Sequence, residues 1–128
     1  MKTILLCIDT DVKRAKRQVE SITTLPLKTD DVKIVIYHVF RGGEADAKRL
    51  KSVIETIDKL EEAGFTFEVC QSSGDISRNI LETADELNVD TISLAGRKRS
   101  PTGKALFGSV TQDVILKSNR PVILSPAE

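Results

Sequence analysis

The chain has 128 residues, with 19 Lys and Arg balanced by 19 Asp and Glu, and 40% of its residues are hydrophobic. This length predicts a single domain, residues 1–128, that buries a core without disulfides or metal. The zero net charge, together with only four Phe, one Tyr and no Trp, argues against a nucleic-acid-binding surface. We find no signal peptide and no apolar run of membrane length, so we expect a cytoplasmic protein.

Apolar runs and helical spacings alternate along the chain. Five runs predict strands at residues 3–8, 32–40, 65–71, 91–95 and 122–124. Helical spacing of apolar residues predicts helices after Thr10 or Asp11 (12–22), up to Gly64 (50–60), after Asp75 (76–87) and at 109–118. Leu50, Val53, Ile54, Ile57 and Leu60 are expected on the inward face of the second helix, and Leu87 on that of the third.

Strands separated by helices of this length predict right-handed crossovers and a parallel sheet with helices on both faces. The fold class is therefore α/β, a doubly wound five-stranded sheet. The first and fourth strands are the most apolar and are placed centrally, which leaves the strand orders 3-2-1-4-5 and 2-1-3-4-5 open. In the first order a ligand crevice lies between strands 1 and 4, where Asp9 faces Gly96.

The segment after the fourth strand, residues 96–111, contains three glycines and four cations and leads into a helix. Glycines let a ligand approach the main chain, and a helix start offers free N–H groups and a positive dipole end. These features predict an anion site. The alternative is a solvated surface loop whose glycines serve only the turn geometry.

Other families on the same architecture do not fit. The turn at residues 9–12 has no glycine, which excludes the dinucleotide fingerprint and a Walker A loop. A two-component receiver domain needs an Asp after the third strand and a Lys after the fifth. The chain has Ser72-Ser73-Gly74 and Ser125-Pro126 at those places.

Six features spread along the whole chain are similar to the universal stress protein family. They are Asp9 after strand 1, His38-Val39, Gly74-Asp75, Gly96 after strand 4, Gly108-Ser109-Val110, and Arg120-Pro121-Val122. Two departures concern the glycine loop, since Arg99 replaces the second glycine and the spacing from there to Gly108 is one residue short. This motif separates the family's ATP-binding members from those that do not bind ATP.

The resemblance implies an adenine-nucleotide site, for ATP or AMP with Mg²⁺ carried by the phosphates. Ile8, Asp9 and Thr10 would contact the adenosine and Val39 the adenine, while Ala95 and Gly96 would approach the ribose and phosphates. The phosphates would lie against Gly108, Ser109, Val110 and Thr111, with the charge of Arg99 nearby. Alternatively Asp9 and Asp75 are helix caps, and His38 is a packing residue at a strand end.

The resulting hypothesis is a nucleotide-binding regulatory or stress-response protein. The competing hypothesis is a dimeric scaffold of the same fold that binds no nucleotide. A slow ATP hydrolase would have only Asp9 as its base. The apolar edge strand at 122–124 (Val122, Ile123, Leu124) predicts a homodimer, a pairing that is common in the family. Cys7 and Cys70 are expected to remain unpaired.

Overall fold

The chain forms a five-stranded sheet with helices on its two faces, seen in a computed structural model that describes residues 1–43, 45–96 and 108–126. The strands are β1 (Lys2–Cys7), β2 (Val32–Phe40), β3 (Thr66–Ser73), β4 (Thr91–Ala95) and β5 (Val122–Ser125). The helices are α1 (Val12–Thr23), α2 (Lys51–Ala63), α3 (Ile76–Glu86) and α4 (Ser109–Lys117), with 3₁₀ turns at Thr29–Asp31 and Ala47–Arg49.

The strand order is β3-β2-β1-β4-β5 and every pairing is parallel. This confirms the first of the two predicted orders and excludes 2-1-3-4-5. The winding reverses between β1 and β4, because the chain runs outward from β1 to β3 and then crosses to the other side. Helices α1 and α2 cover one face and α3 and α4 the other, as doubly wound sheets require.

Two apolar clusters fill the space between the sheet and its helices. Alternate residues of β1 divide between them, with Ile4 and Leu6 facing α1 and α2, and Leu5 facing α3 and α4. A strand buried on both faces therefore reads as one continuous apolar run. Asp11 caps α1 by accepting a hydrogen bond from the Arg14 N–H at 2.9 Å, which settles the choice between Thr10 and Asp11.

Two side chains do not lie where helical spacing predicts. Ile54 was expected on the inward face of α2 but is 44% exposed, because Ser52 and Thr56 take buried positions on that helix instead. Leu87 was expected inside α3, but α3 ends before it and its side chain is 41% exposed. The observed strand ends also differ from the predicted ones by at most two residues.

The sheet opens at the carboxyl ends of its two central strands. The β1–β4 register runs only from Ile4 and Thr91 to Leu6 and Ser93. Beyond that point β1 stays with β2, whereas β4 continues along β5 to Ala95. The divergence creates a crevice at the point where the winding reverses, which is where open α/β sheets bind ligands.

The same register explains why the two cysteines are free. Tyr37 of β2 lies between them, paired with Cys7 on one side and with Cys70 on the other. Two strand spacings separate the cysteines by about 9–10 Å, beyond the reach of a disulfide. Burial also raises the pKa of the Cys7 thiol, which favours its protonated form.

Candidate functional site

The crevice contains a cavity of about 110 Å³. Its floor is formed by the carboxyl ends of the three central strands, and its walls come from α1, α3 and α4. The lining residues are Cys7, Ile8, Asp9, Gln18, Tyr37, His38, Val39, Ile76, Ile80, Leu94, Ala95, Val110 and Thr111. Apolar side chains dominate, with a few polar groups among them, which is the usual composition of a small-molecule site.

Three consecutive carbonyls at the end of β1 are each held by a side chain from a different element. The Gln18 amide of α1 donates to the Cys7 carbonyl at 2.9 Å. His38 of β2 bonds the Ile8 carbonyl through Nδ1 at 2.7 Å. A carbonyl only accepts, so Nδ1 carries the proton.

The third carbonyl, that of Asp9, accepts a hydrogen bond from the Ser52 hydroxyl of α2 at 2.6 Å. On the other edge of the turn, the Ile8 N–H donates to the Tyr37 carbonyl at 2.9 Å. The main chain of the β1–α1 turn is therefore fixed from three sides before any ligand arrives.

The Asp9 carboxylate is also held in place. Its Oδ1 accepts from the Asp11 N–H at 2.9 Å and its Oδ2 from Arg14 Nε at 2.8 Å. Arg14 lies 3.6 Å from the Asp11 carboxylate as well, so one guanidinium serves both acids. The N–H of Arg14 is the main cause that lowers the pKa of Asp11 below its ordinary value. Each Asp9 oxygen accepts one hydrogen bond within the protein and keeps a lone pair that can accept another from a ligand.

A second, more polar groove of about 320 Å³ adjoins the cavity, and Ile76 and Val110 line both. The groove runs along the start of α4 and the turn before α3, and the other residues that line it are Arg41, Gly74, Asp75, Ser77, Ser109 and Asp113. The Ser77 hydroxyl donates to Asp113 at 3.1 Å, which ties α3 to α4.

The start of α4 is hydrogen-bonded to the end of β4, and its first residues line the groove. The Thr111 hydroxyl donates to the Ala95 carbonyl at 3.1 Å. Asp11 and Asp75 cap α1 and α3 with their own carboxylates, whereas α4 begins at Gly108, which has no side chain to cap it. The first N–H groups of α4 have no intrahelical acceptor, because the first such bond comes from Gln112 to the Gly108 carbonyl.

The structure brings together most of the residues expected at the site. Six of them line the cavity: Ile8, Asp9, Val39, Ala95, Val110 and Thr111. Ser109 lines the groove and Gly108 precedes it. Thr10 is exposed, and the Gly96 N–H donates to the Ser125 carbonyl of β5 at 2.8 Å. Arg99 and the other loop cations, Arg97, Lys98 and Lys104, lie outside the described residues.

Four residues that shape the site were not predicted from the sequence, namely Arg14, Gln18, Arg41 and Ser52, and neither was the hydrogen bond that His38 makes. His38 was expected only to pack, and it does meet Phe40 edge-on, but its ring also fixes the Ile8 carbonyl. Gln18 did carry a signal, since it is the polar member of the buried α1 stripe that includes Ala15, Val19 and Ile22. The other contacts depend on the tertiary fold.

Comparison with known proteins gives matches along nearly the whole chain. The family model described as Universal stress protein family matches residues 1–126. A universal stress protein of Mycolicibacterium smegmatis is 34% identical over 65 residues, which is 50% of each chain. Universal stress protein MJ0577 of Methanocaldococcus jannaschii is 35% identical over 75 residues, 58% of this chain and 46% of that one. These two matches span about half the length of the curated relatives.

Solved structures extend the likeness to the full fold. A universal stress protein from Archaeoglobus fulgidus is 30% identical, with a TM-score of 0.70 and 98% of both chains covered. Another structure from that organism, in complex with dAMP, has 23% identity, a TM-score of 0.72 and 98% of both chains covered. An Arabidopsis thaliana family protein with AMP bound has 16% identity and a TM-score of 0.74, covering 100% of this chain and 93% of that one. The last two likenesses show the fold alone.

Among the described residues no helix is both long and apolar enough to cross a bilayer. The family match over residues 1–126, the strand order and the crevice at its reversal point agree with one another. The chain belongs to the universal stress protein family.

Proposed function

We propose that this protein binds an adenine nucleotide, ATP or AMP, in the crevice between β1 and β4 and acts as a regulatory or stress-response protein. The observation that carries the proposal is that the cavity and the groove adjoin each other, with Ile76 and Val110 lining both. A largely apolar cavity at the strand ends adjoins a polar groove at the open start of α4. A nucleotide has the matching division into a flat apolar base and a charged phosphate end.

Each half of the site has the chemistry that its half of the ligand needs. Val39 offers an apolar surface for a purine ring, and the fixed Asp9 carboxylate accepts from an N–H or O–H donor of the adenosine. The N–H groups of Ser109, Val110 and Thr111 are placed for phosphate oxygens at the positive end of α4. Arg41 adds a positive charge to the same groove. The two carboxylates that also line it are engaged within the protein, Asp75 by the Arg78 N–H and Asp113 by Ser77 and Lys117. Any Mg²⁺ would arrive with the phosphates.

Fold neighbours support the choice of ligand. Universal stress proteins have been solved in complex with dAMP and with cAMP, and the Arabidopsis protein with AMP. The clearest test is to denature the purified protein and analyse the supernatant for adenine nucleotide. Titration of nucleotide-free protein with AMP and ATP by calorimetry follows. We expect saturable binding that weakens as the salt concentration rises, because charged groups contribute.

If no nucleotide is released and neither AMP nor ATP gives heat, the scaffold hypothesis replaces this one. A matched control is inorganic phosphate alone, which should bind far more weakly than AMP because it cannot use the apolar cavity. Slow ATP hydrolysis is the least supported activity, because its candidate base, Asp9, is the residue that the proposed site uses to bind the adenosine.

We further propose that two copies associate through β5. This strand pairs with β4 on one side and forms the edge of the described sheet on the other. Its Leu124 side chain is 37% exposed, whereas Ile123 packs into the cluster beneath α1. Exposed apolar edges favour strand pairing. Light scattering should give twice the chain mass, and Leu124→Lys should shift the protein to monomer without loss of fold. A monomeric wild type at micromolar concentration would contradict the proposal.

A further inference from the structure

One group in the cavity is left without a hydrogen-bond partner. Gln18 lies on the buried face of α1, is 0% exposed and lines the cavity. Its Nε2 must face the Cys7 carbonyl, because that carbonyl accepts and needs a donor. This assignment leaves Oε1 as a buried acceptor, and no donor among the described residues reaches it.

A buried acceptor without a donor is costly. Leaving one unpaired costs about 1–3 kcal/mol, so such atoms in folded proteins have a partner that the protein itself does not supply. The cavity beside Gln18, at about 110 Å³, is several times larger than the roughly 10–15 Å³ that one water needs. The space therefore fits a ligand group that brings its own donor.

The other polar side chains that line the cavity also offer no free hydrogen-bond donor to a ligand. Asp9 is an acceptor when ionised, and the Thr111 hydroxyl has committed its hydrogen to Ala95. His38 uses its Nδ1–H for the Ile8 carbonyl and does not offer that donor to a ligand. The hydroxyl of Tyr37 is engaged with Ser72, Thr83 and the Asn79 carbonyl. Next to Gln18 the cavity side chains therefore present acceptors, whereas its N–H donors, those of Val110 and Thr111, lie on the α4 side.

We propose that Gln18 Oε1 accepts a hydrogen bond from the exocyclic 6-amino group of the bound purine and thereby selects adenine over 6-oxo purines. This inference rests on the proposed function and deepens it. An amino group at the 6-position donates, whereas the oxo group of hypoxanthine is an acceptor and would meet Oε1 with repulsion. Sites built to bond a donor discriminate strongly against an analogue that lacks it, because the site's own group is then left unpaired.

The test compares AMP with IMP on the wild type and on Gln18→Met, which keeps the side-chain volume and removes both the Oε1 acceptor and the Nε2 donor to the Cys7 carbonyl. Loss of that donor acts on the turn and should weaken AMP and IMP alike, so only loss of the acceptor changes their ratio. We expect the wild type to bind AMP at least tenfold more tightly than IMP, and this ratio to fall at least fivefold in Gln18→Met. Ser93→Ala is the matched control. Its hydroxyl is also buried and unpartnered, but Ser93 does not line this cavity, so the ratio should not change.

If Gln18→Met does not fold, a second measurement on the wild-type protein tests the same inference. Wild-type protein is titrated with AMP and with purine riboside 5′-monophosphate, which lacks any 6-substituent, while the Gln18 side-chain amide is followed by NMR. A tenfold preference for AMP with a shift of that amide specific to AMP supports the inference.

Three results overturn it. Equal binding of AMP and IMP by the wild type, or an unchanged ratio in a folded Gln18→Met, overturns the role of Gln18 and leaves the proposed function standing. If the wild-type protein binds neither AMP nor IMP, the proposed function and this inference are both overturned.

Discussion

The two sides of the crevice satisfy their backbone groups in opposite ways. On the β1 side, Gln18, His38 and Ser52 hold three consecutive carbonyls from within the protein. On the α4 side the N-cap residue Gly108 has no side chain, and Ser109 and Val110 of the first turn line the groove. We call the β1 side the closed side, because its carbonyls are already bonded, and the α4 side the open side, because its first N–H groups have no acceptor within the helix. In this division of labour the closed side shapes the pocket, and the open side binds the ligand through its N–H donors.

The largest effect is expected from a change that blocks the open side. Gly108 has φ −64° and ψ 159°, a conformation that valine adopts readily, so Gly108→Val should lower the free energy of unfolding by less than about 1 kcal/mol. Its branched side chain would stand beside the N–H groups of α4 and exclude phosphate. AMP binding measured by calorimetry should be abolished, whereas adenosine, which has no phosphate, should bind with little change.

The control for that experiment is Ser109→Ala, which removes a hydroxyl in the same turn and keeps the N–H groups. It should weaken AMP binding far less than Gly108→Val does. Undiminished AMP binding by Gly108→Val would mean that the phosphates do not lie at the start of α4.

The open side of the crevice could be predicted from the sequence because its signals are local. Gly96 and Gly108 mark the ends of one segment, and the helix after Gly108 follows directly in the chain. The winding reversal that places this segment beside β1 follows only in part, because the apolar strengths of the strands place strands 1 and 4 centrally but leave two strand orders open. The tertiary structure selects β3-β2-β1-β4-β5.

The closed side could not be predicted, since its hydrogen bonds join residues far apart in the chain. His38 is 30 positions from Ile8, and Ser52 is 43 from Asp9. No spacing rule relates such residues, and a buried serine on α2 looks in the sequence like a weak helix position. The errors at Ile54 and Leu87 have a related cause, because apolar periodicity does not show that Ser52 and Thr56 are buried on α2 or that α3 ends at Glu86.

Removing one support of the closed side should have a smaller effect that is shared by all ligands. Ser52→Ala leaves the Asp9 carbonyl without its partner, and we expect the free energy of unfolding to fall by about 1 kcal/mol. Adenosine and AMP should both bind a few-fold more weakly, by the same factor, because the turn that contacts the nucleoside becomes looser. Denaturant titration and calorimetry measure the two effects.

Thr56→Val is the matched control for Ser52→Ala. The Thr56 hydroxyl is equally buried on α2 but donates to the Ser52 carbonyl of its own helix at 2.8 Å and does not reach the β1–α1 turn. Its loss should leave both affinities unchanged. If Ser52→Ala affects AMP but not adenosine, the β1 side does not act on the nucleoside and the division of labour is wrong.

The smallest effect is expected where the closed side meets solvent, at the α1 cap. Asp11→Ala removes the carboxylate that accepts from the Arg14 N–H, and loss of such a cap costs about 1 kcal/mol at neutral pH.

The pKa of Asp11 is lowered in the folded protein, mainly by that N–H. Its ionised form therefore stabilises the fold fully above the unfolded-state pKa, and this contribution is lost as the pH falls through the lower, folded-state pKa. Denaturant titrations of both proteins should show a gap at pH 7 that narrows toward pH 2–3, while AMP affinity at pH 7 changes less than about twofold. A gap that stays constant over this range would show that the charge of Asp11 contributes nothing. A large loss of AMP binding would show that the closed side depends on its cap as well as on the three bound carbonyls.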